Sequence, residues 1–134
     1  MAGEAARTLM PYQALGGSEA IRRIVERFYD LMDSEEQYAE LRAMHAADLS
    51  PMRSSLAGWL IGWAGGPRNW FLENPGKCIM RAHRALGISP NTASQWSDAM
   101  ARAIADCGPK DRELGKMVAE KLDLIARAMV VRDA

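Results

Sequence analysis

The sequence predicts an all-α protein, and three observations support this prediction. Apolar residues recur every three or four positions in several long segments, which is the period of an amphipathic helix. Serine or aspartate precedes several of these segments, as a helix cap does. No alternating β-branched run with hairpin turns predicts a strand. The 134 residues suit one hydrophobic core, so we expect a single domain over residues 1–134, with residues 1–10 as a flexible N-terminal extension.

Two helical segments are predicted in the first third of the chain. The longer one covers residues 18–32 and follows the glycine pair Gly16-Gly17, which interrupts the preceding segment. Its apolar positions are Ile21, Ile24, Val25, Phe28, Leu31 and Met32. A shorter helical stretch is predicted over residues 35–44, and residues 45–48 are predicted to be irregular.

The third predicted helix begins at Ser50-Pro51. Serine caps free backbone amides, and proline suits the first turn because its missing N–H costs nothing there. The apolar stripe that follows consists of Met52, Leu56, Trp59, Leu60 and Trp63, and it ends at Gly65-Gly66-Pro67. Residues 68–76 show no sustained period and are bounded by prolines, so they are predicted to form a loop with at most a helical turn.

Three further helices are predicted in the C-terminal half. A short apolar segment, residues 79–83, ends at a histidine. Ser89-Pro90 repeats the cap signature before a helix whose apolar face is Ala93, Trp96, Met100 and Ile104. Cys107-Gly108-Pro109 ends that helix. Asp111 is predicted to cap the last one, whose apolar positions are Leu114, Val118, Leu122, Ile125 and Met129.

These five or six helices each carry one apolar stripe, so they must pack around a shared centre. Periodicity alone is compatible with either a bundle or a globin-like arrangement of crossed helices. The long connection over residues 65–75, followed by a very short helix, favours the globin-like layout. Connections in a bundle usually have only about 2–8 residues.

Composition and charge exclude several classes of function. The 17 basic and 17 acidic residues give a formal net charge of zero, which argues against nucleic-acid binding. No apolar run approaches the roughly 20 residues that cross a membrane. Residues 1–10 do not resemble a signal peptide, so we expect a cytoplasmic protein. Cys78 and Cys107 lack the spacing and the neighbouring histidines of a zinc site.

His83 is the strongest candidate for a chemical role, as one of only two histidines in the chain. It ends a short apolar helical segment, and neutral imidazole is the side chain that ligates haem iron in globins. A hydrogen-bonded packing role is the alternative. Nine methionines and four tryptophans likewise suit either core filling or the lining of a large, flat apolar ligand.

Several motifs in their order and spacing resemble the group II truncated haemoglobins, from about residue 11 to residue 129. The motifs are Pro11-Tyr12-Gln13-Ala14-Leu15-Gly16-Gly17, Arg27-Phe28-Tyr29-Asp30-Leu31-Met32, Gly65-Gly66-Pro67, Arg81-Ala82-His83, and Trp96 followed by Met100. The resemblance implies a shortened globin in which two pairs of antiparallel helices, a 2-over-2 sandwich, enclose a b-type haem.

The resemblance also implies roles for individual residues. His83 matches the proximal iron ligand, while Tyr29, His45 and Trp96 match residues of the distal, ligand-binding side. Hydroxyl, indole N–H and imidazole N–H groups are all able to donate hydrogen bonds to a bound gas. The expected lining of the haem pocket is Met52, Leu56, Trp59, Ile79, Arg81, Leu86, Ile88 and Met100.

The sequence departs from the family beside His83, where Arg84-Ala85-Leu86 replaces the usual Pro-Phe pair. Ala82 also stands where members commonly have a second basic residue. Arg81 is the candidate to bind a haem carboxylate, with Arg84 second, because guanidinium matches carboxylate geometry. An ordinary surface position is the alternative for both arginines.

The implied function is tight binding of O2, together with NO and CO. NO oxidation to nitrate or a peroxidase-like activity would require a reductase partner. A different class of function is a sensor or electron-transfer module in which His45 is the sixth iron ligand. A haem-free helical interaction domain is a third hypothesis.

Overall fold

Helices form all the regular secondary structure of residues 11–130, the part of the chain that the computed structural model describes. The α-helices are α1 (Pro11–Ala14), α2 (Gly17–Ser34), α3 (Ala39–Ala43), α4 (Ser50–Trp63), α5 (Asn69–Glu73), α6 (Ile79–Arg84), α7 (Pro90–Cys107) and α8 (Arg112–Ala128). A 3-10 turn, Glu36–Tyr38, precedes α3. The predicted N-terminal extension, residues 1–10, lies outside the described residues.

The N-terminal turn is built around Gly16 and Tyr12. Gly16 has φ 105°, a left-handed conformation that favours glycine, and it separates α1 from α2. The backbone N–H of Tyr12 donates to the carbonyl of Ala64 at 2.9 Å. Its ring lies where a Cβ on Gly66 would stand, so the glycine after α4 is required by this contact. The two glycine motifs of the sequence therefore meet at one place in the fold.

The predicted helices of the first third are confirmed. The helix expected over residues 18–32 is α2, which extends slightly further at both ends. The stretch expected over residues 35–44 is divided into the 3-10 turn and α3. Residues 45–48 are irregular, as predicted.

The predicted cap of α4 is wrong in one respect. Pro51 lies in the first turn, but the Ser50 side chain makes no capping hydrogen bond. Instead, Asp48 Oδ1 accepts the backbone N–H of Ser50 at 3.0 Å. This hydrogen bond lowers the pKa of the Asp48 carboxyl. Because the carboxylate two residues earlier already serves the helix start, the hydroxyl of Ser50 is not needed there.

The other predicted helix starts are confirmed. Ser89 Oγ accepts the backbone N–H of Thr92 at 3.1 Å, and Thr92 Oγ1 accepts the N–H of Ser89 at 3.0 Å, which completes a capping box. Asp111 caps α8 by accepting the N–H groups of Glu113 and Leu114. The segment over residues 68–76 contains one short helix, α5, which agrees with the prediction of a loop with at most a helical turn.

The four longest helices pack as two connected pairs. α2 contacts α4, α7 contacts α8, and α2 also contacts α7, which joins the two pairs. This is the predicted 2-over-2 arrangement. The largest fully buried side chains are Tyr38, Phe28, Ile21, Leu31, Met32, Met100, Leu122 and Val25. Among residues 11–130, no helix combines the length and apolar character needed to cross a bilayer.

A polar network fixes the turn after α2 onto α7. The hydroxyl of Tyr38 donates to Asp98 Oδ2 at 2.6 Å. Arg102 donates to both carboxylate oxygens of Glu35, at 2.7 and 3.0 Å, and to the Tyr38 hydroxyl at 3.0 Å. Such a bidentate arrangement defines orientation as well as distance. It holds the segment that leads to His45 against the helix that carries Trp96.

Candidate functional site

Three of the predicted site residues form one aromatic cluster on the inner side of α2. The Tyr29 ring meets the His45 ring edge to face, with 6.0 Å between centroids. Phe28 connects Tyr29 to Trp96, at centroid distances of 4.9 and 5.4 Å. T-shaped contacts of this kind define ring orientation. Residues from α2, from the turn after α3 and from α7 are thereby brought together.

Tyr29 has a hydroxyl without a hydrogen-bond partner in the described part of the chain. The residue is only 2% exposed. No hydrogen bond joins its hydroxyl to any group within residues 11–130. Burial raises the pKa of Tyr29 and the charge of Arg53 partly opposes this. The net result is a pKa of about 12. The hydroxyl is therefore protonated at neutral pH and able to donate.

Trp96 is half-buried, and its indole N–H also has no partner in the described part of the chain. Trp70 offers a contrast, because its indole N–H donates to Ser55 Oγ at 3.1 Å. Tyr29 and Trp96 thus supply two donors in one cluster for which residues 11–130 provide no acceptor.

The hydrogen bond of His45 determines what that imidazole does. Its Nδ1 lies 2.9 Å from the carbonyl oxygen of Leu41. Because a carbonyl only accepts, Nδ1 carries the proton, and Nε2 of the neutral ring holds a free lone pair. Burial lowers the pKa of His45, the Leu41 bond opposes this, and the charges of Arg42 and His83 lower it further. In this tautomer, Nε2 of His45 is available as an acceptor or as a metal ligand, which fits the predicted alternative of a sixth iron ligand.

Gln95 is a residue that the sequence did not bring forward. Its Oε1 accepts the backbone N–H of Leu41 at 3.0 Å, and the carbonyl of Leu41 accepts from His45. Gln95 is also the neighbour of Trp96 on α7. One side chain therefore fixes the turn that presents His45 relative to the helix that presents Trp96.

His83 has the same hydrogen-bond pattern as His45. Its Nδ1 lies 2.6 Å from the carbonyl oxygen of Ile79, one turn earlier in α6. Nδ1 is again the donor, so Nε2 of the neutral ring keeps a lone pair that can bind a metal. The hydrogen bond at Nδ1 fixes the orientation of the ring.

Large apolar side chains around α4 and α6 are only partly covered. Met52 is 38% exposed and Leu86 is 52% exposed. The half-buried members of this lining are Leu56, Trp59, Ile79 and Ile88. Trp59 also stacks on Trp63, with 5.8 Å between ring centroids. Partly covered apolar side chains of this size on both segments suit a broad apolar ligand.

Met100 differs from the other residues of the predicted lining. It is 1% exposed and belongs to the core between α2, α4 and α7. A small cavity of about 20 Å³ lies beside it, bordered by Leu15, Ile21, Ile24, Leu60, Trp63, Ala64, Ile104, Val118 and Leu122. Met100 therefore lies in the core, whereas the other residues of the predicted lining remain partly exposed.

A local excess of cations surrounds α6, although the whole chain is neutral. Residues 65–89 contain four cations and one acidic residue, Glu73. Arg81 and Arg84 are exposed at the end of α6, and neither forms an ion pair within residues 11–130. Exposed guanidinium groups on the helix that carries His83 suit a ligand with carboxylate substituents.

These residues fit a haem. His83 Nε2 offers one nitrogen ligand, the partly covered side chains offer an apolar lining, and the free arginines match carboxylates. α6 itself has no other helix of the described chain packed closely against it. A group that bridges α4 and α6 would therefore bury apolar surface on both helices, which is favourable.

Comparisons with known proteins agree with this fit. The family described as bacterial-like globin matches residues 10–130. The group II 2-on-2 haemoglobin of the plant pathogen Agrobacterium tumefaciens is 28% identical, with a TM-score of 0.88 over 94% of this chain and 97% of that one. The cold-adapted truncated haemoglobin of the Antarctic bacterium Pseudoalteromonas haloplanktis is 25% identical, with a TM-score of 0.88 over 93% and 100%.

A third similar structure is the group II truncated haemoglobin of Bacillus anthracis, which is 25% identical with a TM-score of 0.82 over 92% of each chain. No curated protein sequence matches this chain significantly. The family match spans nearly the whole described region, and the helices superpose on those of known group II structures. The chain therefore belongs to the bacterial-like globin family, as a haem-binding globin of the group II truncated haemoglobin type.

Proposed function

We propose that this globin binds O2 tightly at a b-type haem, with His83 as the proximal ligand. The observation that carries the proposal is the pair of unpartnered donors, Tyr29 and Trp96, in one aromatic cluster. When bound, the haem supplies ferrous iron that binds diatomic gases reversibly. The chain supplies a fixed imidazole on one side and hydrogen-bond donors on the other.

The two donors favour retention of O2. A ligand that gains partial negative charge on binding is stabilised by each donor by about 1.5–3 kcal/mol, which corresponds to about one to two decades in release. CO gains less charge and benefits less from the same donors. We therefore include NO and CO among the ligands but infer that the distal side favours O2.

Replacement of Tyr29 by phenylalanine is expected to accelerate O2 dissociation by about 10- to 100-fold, because the ring stays and only the donor is lost. Stopped-flow measurement of the O2 dissociation rate provides the test. Tyr12→Phe is the matched control, since the Tyr12 hydroxyl bonds Ser18 at 2.8 Å, outside the aromatic cluster. An O2 dissociation rate that Tyr29→Phe leaves unchanged would rule out the proposed role.

Redox turnover is a further part of the proposal. Oxidation of NO to nitrate and peroxidase-like activity both consume reducing equivalents, and we propose that a separate reductase supplies them.

A second candidate function rests on His45. Its neutral ring keeps a lone pair on Nε2, which is the requirement for a sixth iron ligand. A six-coordinate haem would suit a sensor or an electron-transfer module, in which the ligand competes with an internal imidazole.

The absorption spectrum of the ferrous protein without added gas separates the two candidates. If His45 ligates the iron, the spectrum shows sharp six-coordinate bands, and His45→Ala converts them to a five-coordinate band. A five-coordinate spectrum that is the same in both proteins contradicts the second candidate and favours the first.

A further inference from the structure

We infer that Arg53 is a positioning residue for Tyr29, which it holds from the side of α4. The inference rests on the proposed function, in which the Tyr29 hydroxyl donates to the gas. Arg53 lies in the second turn of α4, whereas Tyr29 lies on α2, 24 residues earlier in the sequence. No sequence motif connects the two residues.

The guanidinium of Arg53 is fixed by two carboxylates of α2. Its Nη2 donates to Asp30 Oδ1 at 3.0 Å. Its Nη1 donates to the backbone carbonyl of Glu26 at 3.2 Å and lies 3.3 Å from Glu26 Oε2. Glu26 and Asp30 are four residues apart, so both project from one face of the helix. They clamp Arg53 at the level of Tyr29.

The clamped cation lies over the Tyr29 ring. The guanidinium carbon is 5.7 Å from the ring centroid, within the range of a cation–π interaction. The Arg53 side chain is 22% exposed, so solvent screens this contact only in part. The positive charge also favours the phenolate of Tyr29, which makes its O–H a stronger donor. Arg53 therefore orients the ring and strengthens its hydroxyl as a donor.

Arg27 shows what an ordinary interhelical ion pair looks like in this fold. It joins α2 to α7 through Asp106 at 2.9 Å, with side chains 41% and 47% exposed. No aromatic ring lies beneath its guanidinium within residues 11–130. Arg27→Met thus removes a comparable helix contact without touching the Tyr29 ring, and serves as the control.

The test is a double-mutant cycle on the haem-bound protein. Arg53→Met is expected to accelerate O2 dissociation by roughly 3- to 10-fold. Arg53→Lys is expected to give a rate between those of Arg53→Met and the wild type, because lysine keeps the charge but lacks the two donating nitrogens of the planar guanidinium. In the Tyr29→Phe background, Arg53→Met is expected to add nothing. Arg27→Met is expected to leave the rate unchanged. An equal effect of Arg53→Met in both backgrounds, or no effect in the wild type, overturns the inference.

A second measurement keeps this inference separate from the proposed function. The chain has three tyrosines, so fluorotyrosine labelling gives three ¹⁹F resonances, and Tyr29→Phe assigns one of them. In the CO-bound protein, Arg53→Met is expected to shift the Tyr29 resonance and to leave those of Tyr12 and Tyr38 in place. If Tyr29→Phe does not alter O2 release, the proposed function fails, yet this shift still decides whether Arg53 positions the ring. A Tyr29 resonance that does not move contradicts the positioning role.

Discussion

Replacement of His83 by glycine is expected to accelerate haem loss more than a hundredfold and to abolish the spectrum of a histidine-ligated iron. Removal of a hydrogen-bond partner of a metal ligand already costs about 10- to 100-fold in metal affinity, and loss of the ligand itself exceeds this. The expected effect is large because α6 has no other helix of the described chain packed closely against it. Few contacts other than the His83 ligand would then hold α6 next to the haem. Transfer of haem to an excess of a haem-free scavenging globin measures the rate.

Two controls make the His83 result specific. His45→Ala removes the other imidazole of the chain and is expected to leave proximal ligation intact. Free imidazole added to His83→Gly is expected to restore histidine-like bands, because it occupies the space that the side chain vacates. A His83→Gly protein with wild-type bands and a wild-type rate of haem loss would show that another group ligates the iron.

The helices and most of their caps follow from local sequence patterns. A cap acts over two or three residues, so Ser89 and Asp111 were identified from their neighbours alone. The incorrect prediction at Ser50 has the same origin, because Asp48 lies only two residues before it and also carries an oxygen that accepts a backbone N–H. The Asp48 carboxylate serves the helix start, and the sequence does not rank the two groups.

The polar contacts that complete the site do not follow from local patterns. Gln95 reaches Leu41 across 54 residues, and Arg53 reaches Asp30 across 23. Neither pair has a spacing that periodicity would reveal. The protonated nitrogen of His45 is likewise set by one carbonyl, that of Leu41. The sequence predicts which residues carry chemistry, while the fold determines which atom of each is available to act.

The small size of Gly62 determines how closely α4 packs against α5, the helix that connects α4 to α6. Gly62 lies buried on α4, and a Cβ there would clash with the ring of Phe71 on α5. Gly62→Ala gains about 1 kcal/mol in helix propensity but forces the aromatic ring to move, an overpacking cost of typically 1–3 kcal/mol. α5 connects α4 to α6 along the chain, so displacement of Phe71 also disturbs the helix that carries His83. We therefore expect a lower unfolding midpoint and faster haem loss.

Gly58 provides the matched control for this prediction. Gly58 lies one turn earlier on α4, and its replacement by alanine brings the same gain in helix propensity. A Cβ at Gly58 would lie 3.1 Å from Trp70 Cβ, its nearest neighbour, so Trp70 needs to shift only slightly. Urea midpoints at equal protein and haem concentrations are expected to fall for Gly62→Ala and to change little for Gly58→Ala. Phe71→Leu is expected to reduce the cost of Gly62→Ala, because it removes the ring that obstructs the new methyl group. If Gly62→Ala is as stable as Gly58→Ala, contact with Phe71 does not explain the glycine, and the connection between α4 and α6 is held by other residues.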